Sequence, residues 1–574
     1  MKYGKIFIAA CASMLGACAF SAEQAKSAAA ASAAAAGSDQ STAEIKIEKP
    51  VMRWLFGGFG FQNSEASLTP VMDEAFMNER ALKTFREISP TFCRVYTANY
   101  DCPKSQLDRF ADYYDKTFRL SDTTLYVCPG PMPSFPEKMN PEEYADKIAA
   151  NLEYLIKVRD CRKIRYYCLT NELGSGNRFD YFIGNMELFK KYNDALYWAF
   201  QKRGLDIKII ATDVAVTTNL KKGIDSIQWA IDNMDEYVGL YCAHWYVYKR
   251  RVDDLRLYGE YREYFDKLVG MSLRKNKRFL LGEYGFCSVW NSSPVMVDDF
   301  SYNVRQPETA KEAVLAKLEV GVAAMNSGAL GCISWSFCDY PDPFLVEDGH
   351  SPRQQAIFEA ARCVYRLDIK YNKWGMFRWG SREGDYSAYP ELYAMGYLAK
   401  LFRSGSTVLP SVSSDYTVRT GAVENGDGTM SVVVINRGGA KKISVDSKQK
   451  IIKPLRMYVY EAANVPENKF NDLQNAKCTI VPNGNSFTAE IPAKSACFFT
   501  TDYQDRTPAA INGVSIYKGN LIWIPDRTPE HRYYRVYKNG KQIASTVDTK
   551  FKVNSTDASE YKVRSVDCWG NLGK

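Results

Sequence analysis

The chain has 574 residues, too many for one ordinary domain at roughly 150 residues each, and 46% of them are hydrophobic, enough for sizeable cores. Its 74 basic and 66 acidic residues leave a net charge of +8. The basic residues are spread along the chain and form no blocks, which is the pattern of a solvated surface, so no nucleic-acid partner is expected.

Residues 1–22 read as an export signal: Lys2 and Lys5 precede an apolar stretch from Ile6 to Leu15, and small residues follow. That stretch is too short to span a bilayer permanently. Two processing sites compete. Ala17-Cys18-Ala19 suits a signal peptidase, whereas Leu15-Gly16-Ala17-Cys18 resembles a bacterial lipobox that would lipidate Cys18. Residues 23–43, with SAAAASAAAAG at 27–37, read as an Ala-rich linker. No later segment is apolar enough for a membrane span. The mature protein is therefore expected to be exported, whether periplasmic, at the cell surface or extracellular, and to meet a membrane only through a lipid at Cys18.

Export makes the 15 cysteines worth weighing. Without Cys11 and Cys18 an odd number remains, with no CxxC pair. Cys93, Cys128, Cys168, Cys242 and Cys332 lie in apolar runs and read as small buried hydrophobes and not as a disulfide framework, with one or two disulfides left open. The only histidines are His244, His350 and His531, and HExxH is missing, so neither a metal nor a cofactor is expected.

From Trp54 to Phe402 short apolar, β-branched or aromatic runs alternate with amphipathic stretches. The expected strands are 54–61 (WLFGGFGF), 91–97, 123–129, 164–170, 207–213, 237–246, 278–285 and 329–337. Helical spacing marks 140–158 and 308–327 between them and 390–409 after them. Eight strands separated by helices predict a parallel (β/α)8 barrel over 44–405, because each parallel connection needs a crossover. The alternative, a doubly wound open sheet, lacks its phosphate loop: GGFGFQN is not GxGxxG, and no Walker A pattern occurs. The segment from Asp339 to Ser387 reads as an insertion after the eighth strand. Beyond it the texture becomes all-β. Residues 406–503, with turn residues at Asn425-Gly426-Asp427-Gly428, predict a β-sandwich, and 504–574 a fibronectin-III-like module.

A barrel of this kind builds its active site at the C-terminal ends of its strands. Those ends carry Arg94 on the second strand, Asn171-Glu172 on the fourth, Asp213 on the fifth and His244-Trp245-Tyr246 on the sixth, then Glu283 on the seventh and Trp335 on the eighth. Glu172 and Glu283 form a candidate catalytic pair. A pair of carboxyl groups serves glycosidic cleavage, one protonated to release the leaving oxygen and the other ionised to attack the sugar. A separation of about 5–5.5 Å gives retention and about 6.5–9.5 Å inversion. Asn-Glu recurs at Asn78-Glu79 and Gly-Glu-Tyr at Gly259-Glu260-Tyr261, in charged helical surroundings that read as solvent-facing. His244 and Tyr246 share a strand face. Each supporting residue keeps a structural alternative: a satisfied core histidine for His244, plain core for Trp335, an ion-pair partner for Arg94. Asp213 and Asp339 are reserve carboxylates.

The region 54–402 resembles the retaining glycoside hydrolases of clan A, families 5 and 39 and their relatives. LTNELG matches the acid/base motif after strand four, and LLGEYGF the nucleophile motif of strand seven. The resemblance implies Glu172 as acid/base and Glu283 as nucleophile. It implies Tyr246 of AHWY as a hydrogen-bond donor to that nucleophile, Arg94 as its brace, and Trp335 of SWSF as a stacking platform under the sugar. Asn171 would bond the sugar 2-hydroxyl. Two departures bear on the family: LYVCPGPMPSF has no strand-three histidine, and Leu173 replaces the usual proline. The appended sandwich looks more like families 39, 30 and 51. The expected activity is that of an exported retaining glycoside hydrolase acting on a poly- or oligosaccharide. A non-catalytic glycan-binding protein on the same barrel is the alternative, and a structural or adhesive protein working through its terminal β modules is a third. The hydrolase reading expects a chain ending near Tyr503 to remain active.

Overall fold

The computed structural model describes residues 42–50, 54–63, 77–129, 139–173, 182, 184–216, 220–248, 251–287, 307–338, 375–377, 388–466 and 468–574. The expected export signal, Cys18, nearly all of the Ala-rich linker, Asp339 and the glycine-rich stretch after Leu173 lie outside the described residues.

Two strands precede the barrel and belong elsewhere. Thr42–Ile47 (β1) alternates exposed and buried residues and pairs antiparallel with Ser411–Ser413, so residues 44–47, expected in the barrel, lie in a sandwich sheet. WLFGGFGF divides at its central glycines. Leu55–Phe56 (β2) pairs with Ser406–Thr407, whereas Gly58–Phe61 (β3) starts the barrel. The break needs glycine: Gly58 has φ +104°, and a Cβ there would stand 1.6 Å from Thr91 Oγ1.

The remaining barrel strands are Phe92–Tyr96 (β4), Thr124–Cys128 (β5), Ile164–Cys168 (β6), Lys208–Val214 (β7), Val238–Tyr248 (β8), Arg278–Cys287 (β9) and Gly331–Ser334 (β10). All neighbours pair in parallel in the order β3-β10-β9-β8-β7-β6-β5-β4. A parallel bridge from Gln62 to Arg94 closes the ring. The crossovers are Leu82–Ile88 (α1), Lys104–Lys116 (α2), Pro141–Glu153 (α3), Met186–Lys202 (α4), Leu220–Met234 (α5), Leu257–Leu273 (α6) and Pro307–Ser327 (α7), and Pro390–Leu401 (α8) follows the last strand. Local chemistry sets their starts. Asn140 caps α3 by accepting from the Glu143 amide at 2.6 Å, with Pro141 in the first turn. The helix expected over 390–409 stops at Leu401. Gly405, at φ +82°, turns the chain, and the β-branched run after it becomes Ser406–Leu409 (β11).

The sandwich adds Ser411–Ser413 (β12), Val418–Glu424 (β13), Met430–Asn436 (β14), Lys441–Ser447 (β15), Leu455–Glu461 (β16), Cys478–Ile480 (β17), Ser486–Ile491 (β18) and Ser495–Thr500 (β19). Its sheets run β12-β1-β15-β18 and β17-β16-β19-β14-β13-β11-β2. The larger sheet is covered on both faces. Val432 and Val434 point into the sandwich core, and Val433 and Ile435 into the barrel's outer core, which is why MSVVVIN is apolar without alternation. A Cβ on Gly421 would lie 2.7 Å from Met325 of α7, so glycine permits the sheet to approach that helix.

Residues Ser515–Tyr517 (β20), Asn520–Ile522 (β21), His531–Lys538 (β22), Lys541–Thr546 (β23), Lys550–Lys552 (β24) and Tyr561–Asp567 (β25) form two three-stranded sheets around Leu521, Trp523, Tyr534 and Val536. This module is docked by buried polar groups. Lys83 of α1 donates to Glu87 at 2.7 Å and to Asp472 at 2.7 Å, and Tyr533 donates to Glu87 at 3.0 Å. Buried ions are tolerated only when their hydrogen bonds are filled, and here three parts of the chain fill them jointly. Asn78, in the motif copy read as solvent-facing, donates to Asp548 at 3.3 Å and so belongs to the same docking face. Cys93, Cys128, Cys168, Cys242 and Cys332 are buried thiols. Among the described residues no helix is long and apolar enough to cross a membrane.

Candidate active site

Arg94 lies in the middle of β4 with 0% exposure, and an arginine so buried must find anionic or carbonyl partners. It has partners on three other strands and in the turn after β6. One terminal nitrogen donates to Glu283 Oε2; the other donates to Asn171 Oδ1, to Asp213 Oδ2 at 3.0 Å and to Cys128 Sγ at 3.3 Å. The planar guanidinium therefore fixes the relative positions of groups from the fourth, fifth and seventh barrel strands. Tyr96, two residues on and on the same face, also donates to Asn171, at 3.3 Å.

After β6 the chain turns sharply. Thr170 donates to the Thr212 carbonyl at 3.1 Å, and Glu172 adopts φ +57° in the left-handed region, which a glutamate seldom occupies. The next residue returns to the sheet, since Leu173 bridges Val214 in parallel. The turn tips the Glu172 side chain into the barrel mouth, where it remains partly exposed while Glu283 is 3% exposed.

Glu283 owes its position to a bulge. Ala243 of β8 faces Leu281, but His244 faces Glu283, so Gly282 is the additional residue on β9. A Cβ at Gly282 would stand 2.2 Å from Cys242 Sγ, 3.2 Å from Asp213 Oδ1 and 3.5 Å from His244 Cδ2. Only glycine fits, which explains the first residue of the Gly-Glu pair. His244 then bridges the acids: Nε2 lies 2.9 Å from Asp213 Oδ1, while Nδ1 lies 3.2 Å from Glu172 Oε1 and 3.8 Å from Glu283 Oε2.

The charges follow from this packing. Burial, reinforced by Glu172, pushes the Glu283 carboxyl up to about 7 against the opposing pull of His244 and Arg94. Burial also works against a charged His244, but Asp213 and Glu283 outweigh it and raise the ring to about 10. For Asp213 burial is again opposed, by His244 and Arg94, and its carboxyl is held well below the usual range. Burial drives the Cys128 thiol up to about 12 and Cys242 well above its ordinary value, so both are neutral donors.

Two sets of donor atoms, Asp213-Cys242-His244 and Glu172-His244-Glu283, each lie within 4.8 Å of one another, close enough for a cation. Their chemistry fits one poorly. His244 already spends both nitrogens on carboxylates, and the Arg94 guanidinium occupies the side of Asp213 and Glu283 that an ion would need.

Of the residues expected from sequence, Arg94, Asn171, Glu172, His244 and Glu283 meet in one cluster. Trp335 stands at its edge, partly exposed, its ring centroid 6.3 Å from that of Tyr96; its carbonyl accepts from Lys317 at 2.6 Å. Tyr246 stands opposite Gly285 in the strand register. Its ring lies beside Gly285, two residues nearer the rim than Glu283, which Arg94 and His244 approach. Sequence reasoning left Asp213 in reserve and passed over Tyr126, which donates to Asp213 at 2.6 Å. A carboxylate closing the apolar run IKIIATD was the available sign.

No family model matches the chain, and no curated protein matches it by sequence. Solved structures do match in fold. A bacterial orthologue of human α-L-iduronidase superposes with a TM-score of 0.54 at 13% identity, covering 93% of this chain and 99% of that one. The catalytic domain of the family 30 xylanase C from Talaromyces cellulolyticus gives 0.51 at 14% identity over 80% of this chain and 99% of its own. The family 51 arabinofuranosidase from Xanthomonas axonopodis pv. citri gives 0.50 at 12% identity, covering 80% and 99%. The chain thus shares with these glycoside hydrolases a (β/α)8 barrel carrying a β-sandwich.

Proposed function

We propose that this protein is a retaining glycoside hydrolase. The observation that carries the proposal is the placement of Glu172 and Glu283, from the fourth and seventh barrel strands, with carboxylate oxygens within 4.8 Å of each other and His244 between them. That spacing suits attack by a carboxylate and leaves too little room for the interposed water of inversion. Glu283, held by Arg94, attacks the anomeric carbon. Glu172, the more exposed, protonates the departing oxygen and later takes a proton from water. Asn171 bonds the 2-hydroxyl, a reading supported by its contacts with Arg94 and Tyr96, and Trp335 offers a ring at the rim for the apolar face of the sugar.

The fold neighbours act on different glycosides, and none of their substrates transfers to this chain by fold alone. The expected substrate is a poly- or oligosaccharide. We further propose export through residues 1–22, lipidated at Cys18 or cleaved beside it, and a fibronectin-III-like character for residues 504–574, supported by their two three-stranded sheets. The test is hydrolysis of a panel of aryl xylosides, glucosides, arabinofuranosides and iduronides and of matching polysaccharides, with the first-formed anomer read by proton NMR. Turnover with retained configuration, abolished in Glu172→Gln and Glu283→Gln, supports the reading. Full activity in either variant, or an inverted first product, refutes it. Binding of a glycan without product would favour the non-catalytic alternative.

A further inference from the structure

Asp213 takes no part in the two-carboxylate chemistry, yet it is 0% exposed and gathers four donors. Oδ1 accepts from Tyr126 at 2.6 Å, from His244 Nε2 at 2.9 Å and from the Cys242 thiol at 3.2 Å, and Oδ2 accepts from Arg94 at 3.0 Å. A carboxyl group that only accepts is ionised, since a protonated one would need an acceptor of its own. His244 Nε2 must therefore carry a proton. The other ring nitrogen faces two more acid oxygens, Glu172 Oε1 at 3.2 Å and Glu283 Oε2 at 3.8 Å. A bare lone pair at Nδ1 would point at both of them; a proton there donates to Glu172 and attracts Glu283.

We propose that Asp213 is a positioning residue that keeps His244 doubly protonated, so that a fixed imidazolium lies between the two glutamates throughout turnover. The inference rests on the hydrolase reading for its consequence, although not for the protonation state itself. Turnover makes opposite demands on the two acids. Glu283 must be ionised to attack, and once it is esterified Glu172 must be ionised to take a proton from water. A cation in reach of both favours the ionised Glu283 of the first step and the ionised Glu172 of the second without moving. Arg94 holds Glu283 and Asp213, and His244 is the group that reaches from Asp213 to Glu172.

The groups facing this unit set the direction of the effect. Glu283 meets Arg94 from β4, Glu172 from the turn after β6 and His244 from β8, with Asp213 of β7 behind the ring. Neutralising Asp213 removes a weaker influence that raises Glu283 and, by releasing the His244 proton, a stronger one that lowers it. The ionisation of Glu283 then moves to higher pH.

Only three histidines occur in the chain, so ¹⁵N-histidine labelling gives a readable spectrum, assigned with His350→Gln and His531→Gln. In the wild type the His244 nitrogens are expected to remain those of an imidazolium up to about pH 9, far above the ordinary value of about 6.5. A neutral ring at pH 7.5 overturns the proposal, and this measurement needs neither a mutant at the site nor turnover. In Asp213→Asn the ring is expected to titrate within the range studied; an imidazolium as persistent as in the wild type overturns it. In kinetics, the ascending limb of kcat/KM should move up by about one pH unit or more in Asp213→Asn, and the double variant with His244→Gln should shift no further than His244→Gln alone. Additive shifts would mean that Asp213 works through Arg94 and would sink the proposal. A protein that hydrolyses nothing while its wild-type His244 stays an imidazolium refutes the hydrolase reading and leaves this one standing.

Discussion

Substituting Gly282 by alanine tests whether the bulge on β9 builds the site. The added methyl would lie 2.2 Å from Cys242 Sγ and 3.2 Å from Asp213 Oδ1, whereas carbon contacts settle at about 3.5–4.0 Å. A displacement on the order of 1.5 Å is therefore required, and it must be absorbed by a sulfur already packed against Asp213. Overpacking of this size in a buried site costs about 1–3 kcal/mol, and a shift of about 1 Å at the reacting groups costs on the order of 100-fold in rate. Urea unfolding should show Gly282→Ala with a lower midpoint and an unchanged slope, and kcat/KM on an aryl glycoside should fall by about two decades. Cys242→Ala removes the colliding atom. The double variant is therefore expected to recover stability relative to Gly282→Ala, a non-additivity of about 1 kcal/mol or more. A Gly282→Ala protein with the wild-type midpoint and rate, or a double variant whose losses simply add, would refute the reasoning.

Arg94→Lys should lower kcat/KM by about 100-fold or more, since an ammonium cannot reach Asn171, Asp213 and Glu283 at once; a loss of less than about threefold would argue against the brace. The proton held at His244 couples to folding. Its value is raised from 6.5 to about 10, so the stability it confers is complete below pH 6.5 and is lost as pH rises through about 10. Thermal unfolding should show a downward slope across that window which His244→Gln lacks. Because Glu283 ionises near 7, kcat/KM should rise across neutral pH and not near 4.5; a plateau from pH 5 upward would contradict the buried nucleophile. Removing residues 507–574 would strip Tyr533 from Glu87 and bare the buried Lys83 ion pair, so the shortened chain, expected from sequence to remain active, should melt well below the whole protein. An unchanged melting temperature would show the docking to be superficial.

The eight barrel strands were legible because each is a short β-branched or aromatic run broken by helical spacing, and the two catalytic candidates because each ends such a run. What escaped was decided by partners far away in sequence. Nothing local in TAEIKI announces that it pairs with Ser411–Ser413, and nothing in LFGGFGF says that its halves serve different sheets. The register of Tyr246 also follows from the bulge. Residues two apart share a face but stand about 6.6 Å apart along it, so the bulge that brings Glu283 opposite His244 leaves Tyr246 nearer the rim. Asp213 was visible as a residue but not as a hub, because a carboxylate closing one strand reveals nothing about donors arriving from the others.

The pairing of β1 with β12 also bears on the order in which the chain matures. Ile47 meets Ser411 only after about 360 further residues have been made, a span that holds the whole barrel. During synthesis β1 must wait as an open strand edge, and the sandwich cannot close until the barrel's last helix has emerged. The barrel is thus an insertion within the sandwich's own chain path, and the two are expected to gain and lose their structure as one cooperative body.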